Sequence, residues 1–360
     1  MLRLLQTSDV HLGARHPFLG EHAVDQRRRQ FEAFERTVEL ATSTPVELFL
    51  IAGDLFDSSV QPRASMERVG AALAQLVGAG IPTILVPGSS DAPGRASIYH
   101  AYDLARLAGG ADGAGVEVLT PEAPDATIPE LTVRLTSRFP AGGLPDDGWR
   151  IGIVHRPMRP RDDEIAASGV DYVAIGGPSV ASSGRAATVS WGVSGAPELI
   201  DPNEPASGNV LLVTLDEESA RPAIERRAVG RTRMERMELD LAEVADQAEL
   251  VETIAARADP DLVLDVGLTG DWPDDLDIDV EEAEASLAAR FFHVRVHNLG
   301  QPTLSTGSQP GGETIAGAYL RDMEGRIAEV EASGDGEAGR ELREALRLGR
   351  RLLAGRTLAR

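Results

Sequence analysis

Short apolar runs that stop abruptly at polar, often glycine-bearing turns recur along the first half of the chain. Residues 4–13 read LLQTSDVHLG, and Leu48–Ala52 (LFLIA) opens into Gly53-Asp54-Leu55-Phe56-Asp57. Thr83–Val86 opens into Pro87-Gly88-Ser89-Ser90-Asp91, residues 151–154 into His155, and residues 171–175 into Gly176-Gly177-Pro178-Ser179. Runs of this length bounded by turn residues predict buried strands. Between them the period changes to that of a helix: 25–41 puts Phe31, Phe34, Val38 and Ala41 on one face. Likewise 61–78 aligns Met66, Val69, Leu73, Leu76 and Val77 before Gly78 and Gly80 stop it. Strand-helix alternation predicts a central sheet with crossover helices. Short strands and turns then alternate from 116 to 149, with 116–119 expected to open a second, facing layer. The expected fold is α/β: a two-sheet sandwich flanked by helices, with turns delivered at the strands' carboxyl ends.

The pattern changes near residue 230. Residues 231–241 and Leu262–Thr269 read as strands, 250–257 as a helix, and 280–290 with 291–296 as a further helix and strand. A glycine, proline and serine linker at 299–312 precedes two amphipathic helices. One carries Ile315, Tyr319, Met323, Ile327 and Val330 on a stripe, the other Leu342, Leu346, Gly349 and Leu353. Three segments are expected: 1–230, 231–300 and 301–360.

Asp9 and His11, one residue apart on an extended backbone, project the same way and can share a divalent cation through oxygen and nitrogen. Asp54 follows a second strand in the same position, where one carboxylate can bridge two cations about 3.5–4 Å apart. Asp57 reads either as an outer residue orienting a ligand or as a helix cap. His155, just after a strand, reads as a ligand or a hydrogen-bonded rim residue. Behind it, Arg156, Arg159 and Arg161 are the best local candidates for phosphate contact. His16 and His22 lie in a loop that can approach the metal or stay solvated, and His100 reads as a surface or packing residue. The run Arg27-Arg28-Arg29 can touch phosphate but reads better as a solvated helix face, and the acidic stretch 274–282, which lacks calcium-loop spacing, also reads as solvated.

These motifs, DVHLG at 9–13, IAGDLFD at 51–57, DAPGRASIYHAYDLARL after the third turn, DYVAIG at 171–176, WGVSGAPELID and GNVLLVTLD at 191–216, together resemble the calcineurin-like metallophosphoesterases. Within them the chain is similar to the SbcD-type DNA repair exonuclease, the bacterial counterpart of the meiotic recombination eleven nuclease. The resemblance implies a phosphoesterase domain over 1–230, a capping domain over 231–300 that sets DNA access, and C-terminal helices that engage an SbcC-like coiled-coil ATPase. A hairpin folded back on the cap is the alternative for those helices. It also implies manganese as cofactor, DNA as partner, and an assembly that can include a homodimer. Asp9, His11, Asp54 and His155 fall at metal positions, with Asp57 and Asp91 behind them.

Two motifs depart from the family pattern. Gly88-Ser89-Ser90-Asp91 stands where the family has G-N-H-D, so Ser90 takes the place of the leaving-group histidine and Ser89 that of an amide ligand. Gly176-Gly177-Pro178-Ser179 stands where the family has G-H-x-H. One ion rather than two is therefore expected, with weakened or absent two-metal hydrolysis. Three functions compete: repair exonuclease subunit, non-catalytic scaffold of the same fold, and phosphodiesterase on small substrates.

Composition shifts this only mildly. Net charge is −22, and all 35 basic residues are arginine. An acidic body disfavours polyanion binding unless arginines cluster, as they do from 337 to 360 with seven arginines against three glutamates. A GC-rich genome and adaptation to high internal salt both account for the lysine-free composition. The absence of cysteine excludes thiolate metal sites and disulfides. No stretch approaches a membrane span and the first residues read as a strand rather than a signal segment, so a cytoplasmic protein is expected.

Overall fold

The structure, a computed structural model, describes residues 1–110, 115–142, 144–203, 208–216, 218, 222–272, 276–299, 301–302, 315–333 and 336–353. It divides into two compact units, Met1–Met234 and Glu235–Arg360.

The first unit is built on β1 (Leu2–Thr7), α1 (Ala23–Ser43), β2 (Leu48–Ala52), α2 (Arg63–Gly78) and β3 (Thr83–Val86), followed by the short helices α3 (Ile98–Ala101) and α4 (Leu104–Leu107) and by β4 (Val116–Val118). Next come β5 (Asp125–Ile128), β6 (Val133–Thr136), β7 (Trp149–His155), α5 (Asp162–Ala166) and β8 (Tyr172–Gly176). The unit closes with β9 (Ser182–Ala186), β10 (Val189–Val193), β11 (Asn209–Leu215) and β12 (Ala223–Ala228). Two mixed six-stranded sheets result, ordered β12-β11-β1-β2-β3-β4 and β5-β6-β7-β8-β10-β9.

Strand periodicity explains why the first sheet's strands are apolar on both faces. Leu4, Leu48 and Leu50 point into the core between the sheets with Ile84, Ile151, Ile153 and Tyr172. Their neighbours Leu5, Phe49 and Ile51 point the other way, against Phe34 and Val38 of α1 and Leu73 and Leu76 of α2. A sheet covered on both sides needs continuous apolar runs, and that is what marks these strands in the sequence. Polar ties also cross between the sheets: the Tyr172 hydroxyl donates to Gln6 Oε1 at 2.6 Å, and Gln6 Nε2 donates to the Gly192 carbonyl at 2.9 Å.

Two expectations are corrected. Residues 116–118 do not open the second layer: β4 is the edge of the first sheet, paired in parallel with β3 through Thr83↔Val116. Arg29 is not on a solvated face, being 8% exposed and donating to Thr232 Oγ1 at 3.2 Å.

The second unit contains β13 (Arg233–Asp240), α6 (Gln247–Ala255), β14 (Leu262–Thr269), β15 (Asp271–Trp272), α7 (Val280–Leu287), β16 (His293–Asn298), β17 (Gln301–Pro302), α8 (Ile315–Ser333) and α9 (Gly336–Leu353). A three-stranded sheet, β13-β14-β16, packs Leu264, Val266 and Val294 against Leu250 and Leu287 of its helices. The last two helices form a hairpin sealed by Leu320, Met323, Ile327 and Leu346, with Tyr319 and Leu342 at its margin. The linker expected at 299–312 lies outside the described residues at 300 and 303–312, as do 273–275 of the acidic stretch and 354–360 of the arginine-rich tail. The side chains of Ile315 and Leu353 are also outside them. Among the described residues no helix is long and apolar enough to cross a membrane.

Candidate metal centre

The parallel register Leu4↔Leu48 to Thr7↔Ile51 brings β1 and β2 to the same level at their carboxyl ends. Pairing continues beyond the strands: Asp9 N donates to the Gly53 carbonyl (3.0 Å), His11 N to that of Asp54 (2.9 Å), Leu12 N to that of Leu55 (2.9 Å) and Asp57 N to that of Leu12 (3.1 Å). Within this zipped pair of loops Asp9, His11 and Asp54 all adopt left-handed backbone, with φ of 52°, 48° and 47°. Such a conformation costs about 1–2 kcal/mol for a residue with a Cβ, and a hydrogen-bonded frame is what sustains it. It brings the three side chains to one side of the rim. Gln30 of α1 fixes the frame from behind, its amide donating to the carbonyls of Val10 (2.7 Å) and His11 (2.6 Å) while its oxygen lies 3.3 Å from His16 Nε2.

Asp9, His11 and Asp54 each present a donor atom, all within 4.8 Å of one another. His155 joins them from the second sheet, Nε2 lying 3.0 Å from Asp9 Oδ1 and 3.3 Å from Asp54 Oδ2. Asp57 Oδ1 lies 3.3 Å from His11 Nδ1, in contact but not aligned as a full hydrogen bond. Gly177 N donates to Asp9 Oδ2 at 2.9 Å. Two glycines make the approach possible. A Cβ on Gly53 would stand 2.2 Å from the His155 ring, and one on Gly88 would stand 2.2 Å from Asp54 Oδ1.

The third loop meets the site through hydroxyls and backbone. Ser90 N donates to Asp54 Oδ1 at 2.7 Å, and Ser89 Oγ to Asp54 Oδ2 at 3.3 Å. Asp91 does not reach the cluster. Buried, it accepts from Gly88 N (2.7 Å), Phe56 N (3.1 Å) and the Tyr99 hydroxyl (2.5 Å), and so clamps the third loop to the second.

Burial works against charge at Asp54, His155 and His11, and their partners reverse it. Desolvation alone would raise Asp54, but the bonds from His155 and Ser90 N, with both imidazoles nearby, hold it at about 2. Desolvation alone would lower His155, but the two carboxylates push it up to about 10. His11 is raised against the same desolvation, chiefly by Asp57. Asp91, dominated by burial, moves up. Two buried carboxylates with an imidazole form an oxygen and nitrogen set that suits one divalent cation held by Asp9, His11 and Asp54.

The arginines after His155 are less free than their spacing suggests. Arg159 pairs with Asp162 at 2.7 Å and lies over the Trp191 ring, while Arg161 pairs with Asp163 at 3.1 Å. Arg156 is 3.7 Å from Glu164 and lies over Phe139. His16 is buried against Gln30, His22 is half-buried, and His100 is exposed. Residues not singled out from sequence are Gln30, Tyr99 and the hydrogen-bonding roles of Ser89 and Ser90. The signal for Gln30 was a polar residue on the buried stripe of α1, beside Ala33, Phe34 and Thr37.

Residues 2–176 match the family model described as calcineurin-like phosphoesterase. The chain is similar to the DNA double-strand break repair protein Mre11 of Aeropyrum pernix, 36% identical over 94 residues, which are 26% of this chain and 22% of that protein. It is also similar to the protein of the same name from Saccharolobus solfataricus, 30% identical over 95 residues, 26% of this chain and 24% of that one. These matches span about a quarter of each relative's length. The crystal structure of TT1561 of Thermus thermophilus overlaps 63% of this chain and 99% of its own at a TM-score of 0.41 and 15% identity.

Proposed function

Because residues 2–176 form a calcineurin-like phosphoesterase domain, we propose that this chain is a DNA repair exonuclease subunit of the SbcD type, acting in double-strand-break processing with one divalent cation rather than two. The observation that carries the reading is the convergence of Asp9, His11 and Asp54, donor atoms within 4.8 Å, where β1 and β2 end. A divalent cation at that set, manganese in this proposal, supplies Lewis-acid activation of a phosphodiester and acidifies a water. Asp57 orients the His11 ring, and His155, its Nε2 3.0 Å from Asp9 Oδ1 and 3.3 Å from Asp54 Oδ2, stands as a further nitrogen donor beside the cation. Arg156 is the phosphate contact of choice among Arg156, Arg159 and Arg161, since its carboxylate partner is the most distant. Ser90 in place of an imidazole removes a general acid, a loss of about 10²–10⁴ in rate, because a hydroxyl does not titrate near neutrality. The segment 231–300 caps DNA access, and the α8–α9 hairpin docks a coiled-coil ATPase, in a cytoplasmic complex that can include two copies of the chain.

A second reading, a scaffold that binds DNA or the ATPase without turnover, is favoured by one feature. Ser90 N and Ser89 Oγ each engage an Asp54 oxygen that a second cation would need. Metal content and manganese-dependent nuclease activity, measured with and without the ATPase, separate the two. Turnover abolished by Asp54→Ala supports the exonuclease; a metal-loaded complex with no turnover leaves the scaffold.

A further inference from the structure

A cavity of about 410 Å³ opens beside the metal cluster, between the carboxyl ends of β3, β4, β6 and β7, and shares His155 with it. Its size falls within the roughly 300–1,000 Å³ of small-ligand sites and holds one nucleoside-sized group, not a duplex. The floor is apolar, made by Leu119, Ile153 and Val154. The walls carry the rings of Pro87, Pro93, Pro121 and Pro124, whose fixed backbone torsions leave little freedom to lose when a ligand enters. Phe139 lines one side, with the Arg156 guanidinium over its ring at 5.3 Å. Ser137 and Thr120 supply hydroxyls.

The charge of this lining is opposite to that of the protein. In a chain of net charge −22, the charged groups around the cavity are Arg138, Arg156 and His155, with no carboxylate among the described lining residues. Arg138 is tied to Asp125, which leaves Arg156 as the less tightly paired cation at the mouth. A slot with an aromatic wall, apolar floor and basic mouth fits a flat, uncharged ring carrying a phosphate. The phosphate end has a natural destination, because His155 bridges the slot to Asp9 and Asp54.

We propose that this cavity binds a single unpaired nucleobase, so that the nucleotide whose phosphate lies at the metal cluster is held by its base rather than read within a duplex. The proposal rests on the phosphodiester reading of the cluster for its phosphate end only; the base pocket stands on the lining itself. The cost of unpairing that base makes frayed, mismatched or single-stranded ends the favoured substrates.

Calorimetric titration of the full chain with deoxyadenosine 5′-monophosphate and with 2-deoxyribose 5-phosphate, in manganese and with metal content measured in each sample, tests this. The nucleotide is expected to bind on the order of tenfold or more tighter than the sugar phosphate, as stacking on one aromatic wall provides. Phe139→Ala removes the wall and Thr120→Trp fills the slot. Each is expected to erase that preference with manganese content unchanged and folding verified by circular dichroism. Thr120→Trp also leaves sugar-phosphate binding unchanged, whereas Phe139→Ala, which frees Arg156, is read against its own sugar-phosphate affinity. Should Phe139→Ala not fold, Thr120→Trp carries the comparison. Equal binding of the two phosphates by the unmodified protein, binding of neither, or a preference that survives Thr120→Trp overturns the proposal. A preference in protein that takes up no manganese keeps the pocket and sinks the metal reading instead; manganese uptake without preference does the reverse.

Discussion

The first two loops of the site and the third and fifth are held with equal care but carry different chemistry. Loops one and two are zipped by backbone hydrogen bonds and present Asp9, His11 and Asp54 from left-handed backbone. The third loop is clamped just as firmly, by Asp91 through Gly88 N, Phe56 N and the Tyr99 hydroxyl, and delivers Ser90 N to Asp54. The fifth loop places Gly177 N on Asp9. What these later loops deliver is backbone N–H and hydroxyl, where the family pattern the sequence resembles has an amide and imidazoles. Scaffold and donor set are thus separable: the first two turns present ligand side chains, while the later ones, framed as firmly, present backbone N–H and hydroxyl.

That separation can be broken by restoring donors to the third loop. The double substitution Ser89→Asn with Ser90→His is expected to add a second equivalent of bound manganese and to raise phosphodiester hydrolysis about 10²–10⁴-fold. No gain in either would mean that the loops differ in more than their side chains. Next in size, Asp54→Asn is expected to weaken manganese binding by at least about 10–100-fold, since loss even of an orienting partner costs that much; metal analysis after dialysis reads it. Asp91→Ala strands buried donors on Gly88, Phe56 and Tyr99, and is expected to lower unfolding free energy by at least about 1–3 kcal/mol in urea titrations while Asp9 and His11 stay in place. The smallest effect concerns pH. Burial lowers the His16 pKa, so the folded protein takes up that ring's proton at a lower pH than the unfolded chain, which does so below about 6.5. Stability is therefore expected to fall as pH drops through that value, and His16→Asn, which tolerates the left-handed backbone there, should flatten the slope.

Much of the first unit was readable because a sheet covered on both faces writes itself as unbroken apolar runs. Leu48–Ala52 and Thr83–Val86 match their strands to the residue. Three-residue β4 was misassigned because so short a segment carries no periodicity, and its partner β3 is set by register alone. Arg29 was misread because its partner, Thr232, lies 203 positions away, and local patterning contains nothing about such a distance. Asp9, His11, Asp54 and His155 could be picked out as strand-end residues. The pairing of His155 with two carboxylates could not, since it depends on Gly53 leaving room for the ring.

The strand that leads to Asp9 lies between β2 and β11, and its outer edge is matched from Leu2↔Leu215 to Gln6↔Leu211. Roughly two hundred residues separate those partners, so at ordinary rates of synthesis the ribosome needs about 10–40 s to deliver the second after the first. Throughout that interval the nascent β1 offers a bare, sticky border to any neighbouring polypeptide. The carboxylate that follows β1 thus gains its finished surroundings late, when β11 docks.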